Sequence, residues 1–125
     1  MQQKALEFIK KEKDQPFFLY YATPLPHVPL QVPKAYVDKY REIIGDEAPY
    51  LGQRGYFPHQ YPNAAYAGMI NYLDDQLGEL IQALKDEGIY ENTLIIFSSD
   101  NGPTYAGGVD PVYFNSAGPF PNQYG

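Results

Sequence analysis

Two short runs restrict what this chain can become. Phe17-Phe-Leu-Tyr-Tyr-Ala22 and Thr93-Leu-Ile-Ile-Phe97 are apolar or aromatic at nearly every position. A run of that length without alternation reads as a strand covered on both faces, as in a parallel sheet. Between them Tyr66, Met69, Ile70, Leu73, Leu77, Leu80, Ile81 and Leu84 recur at three- and four-residue intervals. That period predicts a long amphipathic helix. Asn63 is its expected N-cap, Glu87 its approximate end, and Gly88 fits the position just past it. Strand, helix and strand make a βαβ unit, which is almost always right-handed. Yet a two-stranded parallel sheet has two open edges and cannot cover both faces of its strands. The expected fold class is α/β, with this chain supplying part of a larger domain.

The rest of the chain supports that plan. Gln3 to Asp14 reads as a helix with Ala5, Leu6 and Ile9 on one face and lysines near its C-terminal end, where the dipole favours them. Pro16 stops it. Thr23-Pro-Leu-Pro-His-Val-Pro-Leu-Gln-Val-Pro33 carries four prolines, which exclude a helix or a central strand and predict a stiff loop around His27. Lys34 to Ile44 is a short helix whose apolar contacts would come from Ala35, Tyr36, Val37, Tyr40 and Ile44, and Gly45 ends it. Residues 46–62 are irregular, Tyr90-Glu-Asn92 is a turn, and residues 102–125 read as loop. Eleven glycines and twelve prolines lie mostly in these loops. Loops this long in a compact domain usually signal function or missing neighbours.

Composition narrows the chemistry. At 125 residues the chain is one domain at most. Its net charge is −6 and its nine Lys and Arg residues form no basic face, which argues against a nucleic-acid partner. No apolar run approaches the roughly 18 residues needed to span a membrane. Met1 to Lys11 is charged and amphipathic, unlike the apolar core of a signal peptide. With no cysteine there is neither a disulfide nor a thiolate ligand.

The second apolar run leads directly into Ser99-Asp100-Asn101-Gly102. A strand would deliver a carboxylate and a carboxamide to its C-terminal end, the edge where open α/β sheets bind ligands. Both offer oxygen, which hard cations such as Ca²⁺ and Mg²⁺ prefer. If the two strands are neighbours, His27 and the Asp100-Asn101 pair share one sheet edge.

Four blocks in order, Pro16-Phe-Phe-Leu-Tyr-Tyr-Ala22, Pro26-His-Val-Pro-Leu30, Tyr66-Ala-Gly-Met-Ile-Asn-Tyr-Leu-Asp-Asp-Gln-Leu-Gly78 and Glu91-Asn-Thr-Leu-Ile-Ile-Phe-Ser-Ser-Asp-Asn-Gly-Pro103, resemble the type I sulfatases of the alkaline phosphatase superfamily. The resemblance implies an α/β/α sandwich that hydrolyses sulfate esters with a formylglycine nucleophile and one Ca²⁺, sometimes Mg²⁺. It implies that Asp100 and Asn101 are metal ligands and that His27 contacts the scissile ester oxygen. Relatives with two transition metals and phosphate substrates tend to carry His where Asn101 stands. A carboxamide oxygen suits Ca²⁺ or Mg²⁺, so Asn101 favours a sulfatase over a phosphatase or phosphodiesterase. The implied partners are a small-molecule or carbohydrate sulfate ester and the remainder of the sulfatase domain. Members are often exported (periplasmic or secreted) or lysosomal.

The departures matter as much. The Cys/Ser-x-Pro-x-Arg nucleophile motif, the paired N-terminal aspartates and the Lys that follows Asp-Asn-Gly in the family are all absent from residues 1–125. The expectation is a central segment of the catalytic domain, inactive alone. The competing reading is a non-catalytic module on the same scaffold.

Plainer roles stand beside these. Asp-Asn-Gly is ordinary turn chemistry, and a histidine in a Pro-rich loop can be merely exposed. His59 matches nothing in the family and reads as surface. Asp74 and Asp75 diverge by about 100° on a helix, so solvation or a structural contact suits them better than a shared metal. Tyr56, Phe57, Tyr61, Tyr105, Tyr113 and Phe114 lie in loops on which a substrate cleft could draw, although tyrosines mostly pack.

Overall fold

A computed structural model describes residues 1–119. Helix α1 spans Gln2–Glu12, α2 Lys34–Ile44 and α3 Pro62–Asp86, with 3-10 turns at Tyr90–Asn92 and Ala106–Gly108. The long period in the sequence becomes α3, and the other elements pack along it. Its N-terminal half meets α2 and the Pro-rich loop in a core of Val28, Leu30, Val37, Ala64, Ala65, Met69 and Val109. Its C-terminal half meets α1 in a second core of Ala5, Ile9, Leu80, Ala83 and Leu84. Gly68 permits the close approach of α2: a Cβ there would stand 3.1 Å from the Tyr36 carbonyl carbon.

The ends of α3 are fixed by different devices. Gly88, at φ +71°, follows the last turn, where its N–H donates to Lys85 O and that of Ile89 to Leu84 O, both at 3.0 Å. These paired bonds are a Schellman closure, and Ile89 packs beside Leu84 in the second core. At the other end the expected cap is corrected. The helix begins at Pro62, with Tyr61 as the N-cap residue. The Glu47 carboxylate accepts the N–H groups of Asn63 at 2.7 Å and Ala64 at 3.0 Å. An anion at this end also complements the helix dipole. Asn63 is thereby released to accept the Asp110 N–H at 2.9 Å.

The expected βαβ unit does not form among the described residues; pairing there amounts to isolated bridges, Tyr50 with His59 and Gln53 with Gly55. The first apolar run alternates inward and outward like a strand but has no ladder. Phe17, Leu19 and Tyr21 pack on the second core, while Phe18 and Tyr20 between them are 86% and 79% exposed. Tyr21 is held by its hydroxyl, which donates to Gln2 Oε1 at 2.8 Å. In the second run Leu94 is 85% and Ile96 80% exposed. A strand is stabilised by its neighbours, and neither run finds one here. Two smaller expectations also shift: Ile70 of α3 and Ala35 of α2 are exposed rather than packed.

Candidate functional site

His27 is exposed because its neighbours are not. Val28 and Leu30 insert into the first core, and in an extended loop that turns the residue before them outward. The peptide bonds Leu25–Pro26 and Val28–Pro29 are cis. The His27 N–H donates to Pro24 O at 2.8 Å. Its Nδ1 lies 2.5 Å from Val28 O. A carbonyl can only accept, so Nδ1 carries the proton and Nε2 is the nitrogen left to face a substrate.

Asp100 and Asn101 follow the exposed second run and are themselves exposed. The Asn101 Nδ2 donates to Gly102 O at 2.9 Å, and Ser99 Oγ donates to Asn101 O at 2.8 Å. Those bonds employ the amide nitrogen and leave Asn101 Oδ1 and the Asp100 carboxylate open. No hydrogen bond joins His27 to either residue among the described residues. Nor do the described residues include a group of three or more His, Cys, Asp or Glu side chains that could hold a metal. The donors fit a hard cation in kind, as two oxygens of the six or more that Ca²⁺ takes.

Two contacts bring the surrounding loops together. Gly107, just downstream of the Asp-Asn pair, packs so tightly on Val28 that a Cβ would stand 2.7 Å from Val28 Cγ1. A Cβ on Gly108 would stand 2.6 Å from Tyr50 Cβ. Tyr50 is the base of the loop 50–59, closed by reciprocal 2.9 Å backbone bonds with His59. Its hydroxyl also accepts the Arg54 N–H at 3.1 Å and donates to Gly55 O. From this loop Tyr56 meets the His27 ring edge-on, with centroids 6.3 Å apart and planes at 75°. The sequence presents Tyr56 as one loop aromatic among several, and no local pattern announces that contact.

Of the residues given plainer roles, Asp75 makes a structural contact, accepting the Tyr36 hydroxyl at 2.7 Å. That bond pushes the Tyr36 phenol up to about 12. His59 is half-buried rather than surface. Burial lowers its imidazole from the ordinary 6.5, and its Nδ1 accepts the Tyr61 N–H at 3.0 Å.

The family model described as Sulfatase matches residues 1–124. The chain belongs to the sulfatase family. Family membership carries an α/β fold of the alkaline phosphatase type. Among its relatives, mouse Arylsulfatase J is 38% identical over 100 residues, which cover 78% of this chain and 14% of that protein. Human N-acetylgalactosamine-6-sulfatase is 32% identical over 121 residues, 94% of this chain and 18% of that protein. Klebsiella aerogenes Arylsulfatase is 31% identical over 144 residues, 90% of this chain and 30% of that protein. The chain therefore spans under a third of the length of each of these sulfatases.

Proposed function

We propose that this chain is a central segment of a sulfuric ester hydrolase, supplying a leaving-group histidine and two ligands of a Ca²⁺ site, at which Mg²⁺ could serve instead. The observation that carries the reading is the adjacent oxygen pair of Asp100 and Asn101, both exposed, with the Asn101 amide held through its Nδ2 on Gly102 O and its Oδ1 left open. The exposed faces of residues 17–22 and 93–97 suit strands of an α/β sheet whose other strands lie outside this chain. In that setting the two runs and α3 would form the βαβ unit that puts His27 and the Asp-Asn pair on one edge.

His27 has the chemistry for the ester oxygen. With Nδ1 committed to Val28 O, a protonated Nε2 would donate to the bridging oxygen as the S–O bond breaks, and the leaving alcohol takes the proton. Asp100 and Asn101 would hold the cation through oxygen, and when bound it would draw charge from the sulfuryl oxygens. The nucleophile, a formylglycine by family resemblance, has no precursor motif among the 125 residues, which contain no cysteine.

The test uses the protein expressed from its complete reading frame, offered 4-nitrophenyl sulfate and 4-nitrophenyl phosphate. The reading expects the sulfate to be preferred and His27→Ala to lower kcat about 10²- to 10⁴-fold. It expects Ca²⁺ chelation to abolish turnover and added Ca²⁺ or Mg²⁺ to restore it. Preference for the phosphate ester would mean that a phosphatase relative has been mistaken for a sulfatase.

A further inference from the structure

We infer that Tyr56 forms the leaving-group subsite, where its ring receives a cyclic alcohol portion of the ester, an aryl or pyranose ring. The inference rests on the assignment of His27 to the leaving oxygen. It starts from the backbone: Tyr56 is at φ +64°, a left-handed conformation uncommon for a residue with a Cβ. Such conformations persist where the surroundings over-determine them, and they cluster at ligand contacts.

The surroundings here do over-determine it. The loop is pinned at its base by the Tyr50–His59 bonds and braced inside by the Tyr50 hydroxyl on Arg54 and Gly55. Tyr50 is itself 8% exposed and seated against Gly108. A rigid base thus carries an aromatic tip, and that tip stands edge-on to the imidazole. Tyr56 remains 49% exposed, so much of its ring is not used in packing. A ring beside the group assigned to the leaving oxygen is placed to meet the portion of substrate attached to that oxygen. Offset or edge contact with a flat ring is the interaction an aromatic side chain offers there.

The test again uses the protein from its complete reading frame. Tyr56→Gly and Tyr56→Asn remove the ring with residues that tolerate the left-handed backbone, and Tyr56→Phe keeps it. KM is measured for 4-nitrophenyl sulfate and galactose 6-sulfate, and ethyl sulfate, which has no ring, is measured as a competitive inhibitor. The expected result is a KM about 3- to 10-fold higher in the Gly and Asn variants for the ring-bearing ester that fits the site. The Ki of ethyl sulfate and the values for Tyr56→Phe should be unchanged. A rise for only one of the two ring-bearing esters identifies the ring class. Equal weakening of ethyl sulfate, or no change in KM for either ring-bearing ester, overturns the subsite while the sulfatase reading stands. Failure of the unsubstituted protein to hydrolyse either sulfate ester overturns both.

Discussion

A methyl group on Gly108 would lie 2.6 Å from Tyr50 Cβ and 3.0 Å from Pro62 Cβ, at a residue whose φ is +85°. Both atoms are fixed close to the backbone, so neither can swing away. Gly108→Ala should therefore destabilise the chain by about 2 kcal/mol or more, summing overpacking and left-handed strain. Thermal unfolding of the variant checks this, and an unchanged midpoint would mean the loop is not seated there. His59 gives a second residue-scale expectation. Its imidazole is lowered from 6.5 by burial, which outweighs the opposing Glu47 carboxylate. The unfolded chain then binds the proton more readily, so stability is fully present above about pH 6.5 and falls as the pH drops toward the folded value. Denaturant titrations at pH 7.5 and 5.5 should show a larger loss for the unsubstituted chain than for His59→Gln, whose amide can still accept the Tyr61 N–H. Neither residue was legible in sequence for this role. A lowered imidazole depends on what buries it, and the tight contact at Gly108 depends on Tyr50, far upstream in the chain.

The helices were the legible elements. Apolar spacing located α2 with its observed bounds and α3 to within a residue or two, because α3 buries one face along its length and α2 sets Val37, Tyr40 and Ile44 on the first core. The start of α3 was less legible. Asn63 has the chemistry of a cap, but Pro62 already fits the first turn of a helix. A carboxylate sixteen residues upstream takes the N–H bonds, and no local rule points to Glu47. Glu47→Ala should cost about 1 kcal/mol or more, since it leaves two first-turn donors to water or unpaired. The sharper readout is hydrogen exchange. Protection should fall at Asn63 and Ala64 while the Schellman bonds at Gly88 and Ile89 keep theirs. The two apolar runs read in sequence as strands of a βαβ unit, and among residues 1–119 they form no strand, since a ladder needs a second backbone that these residues do not present. The proposed cation ligands follow the same logic. The oxygen donors of Asp100 and Asn101 are readable in the sequence, but a complete coordination shell is a property of several segments together.

At the scale of the molecule, two helix-packed cores sit beneath apolar surfaces that face solvent. Leu94, Ile95, Ile96 and Phe97 are consecutive and exposed, and runs of that kind invite association through their open backbone. The isolated 125-residue chain should bind a hydrophobic dye and self-associate with rising concentration, and Leu94→Lys with Ile96→Lys should reduce both. Light scattering that stays monomeric for the unsubstituted chain would show the run to be covered. The same chain should give no measurable turnover of 4-nitrophenyl sulfate. Turnover by the purified chain would require a nucleophile that the proposed chemistry does not place there. The loop 50–59 has one more consequence. Its fastening is concentrated at the Tyr50–His59 base, while Tyr56 and Phe57 at the tip are exposed. Such a division lets the tip vary by mutation without loosening the scaffold. Under the proposed subsite, related chains would diverge in the alcohol they accept by exchanging a few tip residues, while the Tyr50–His59 base stays the same.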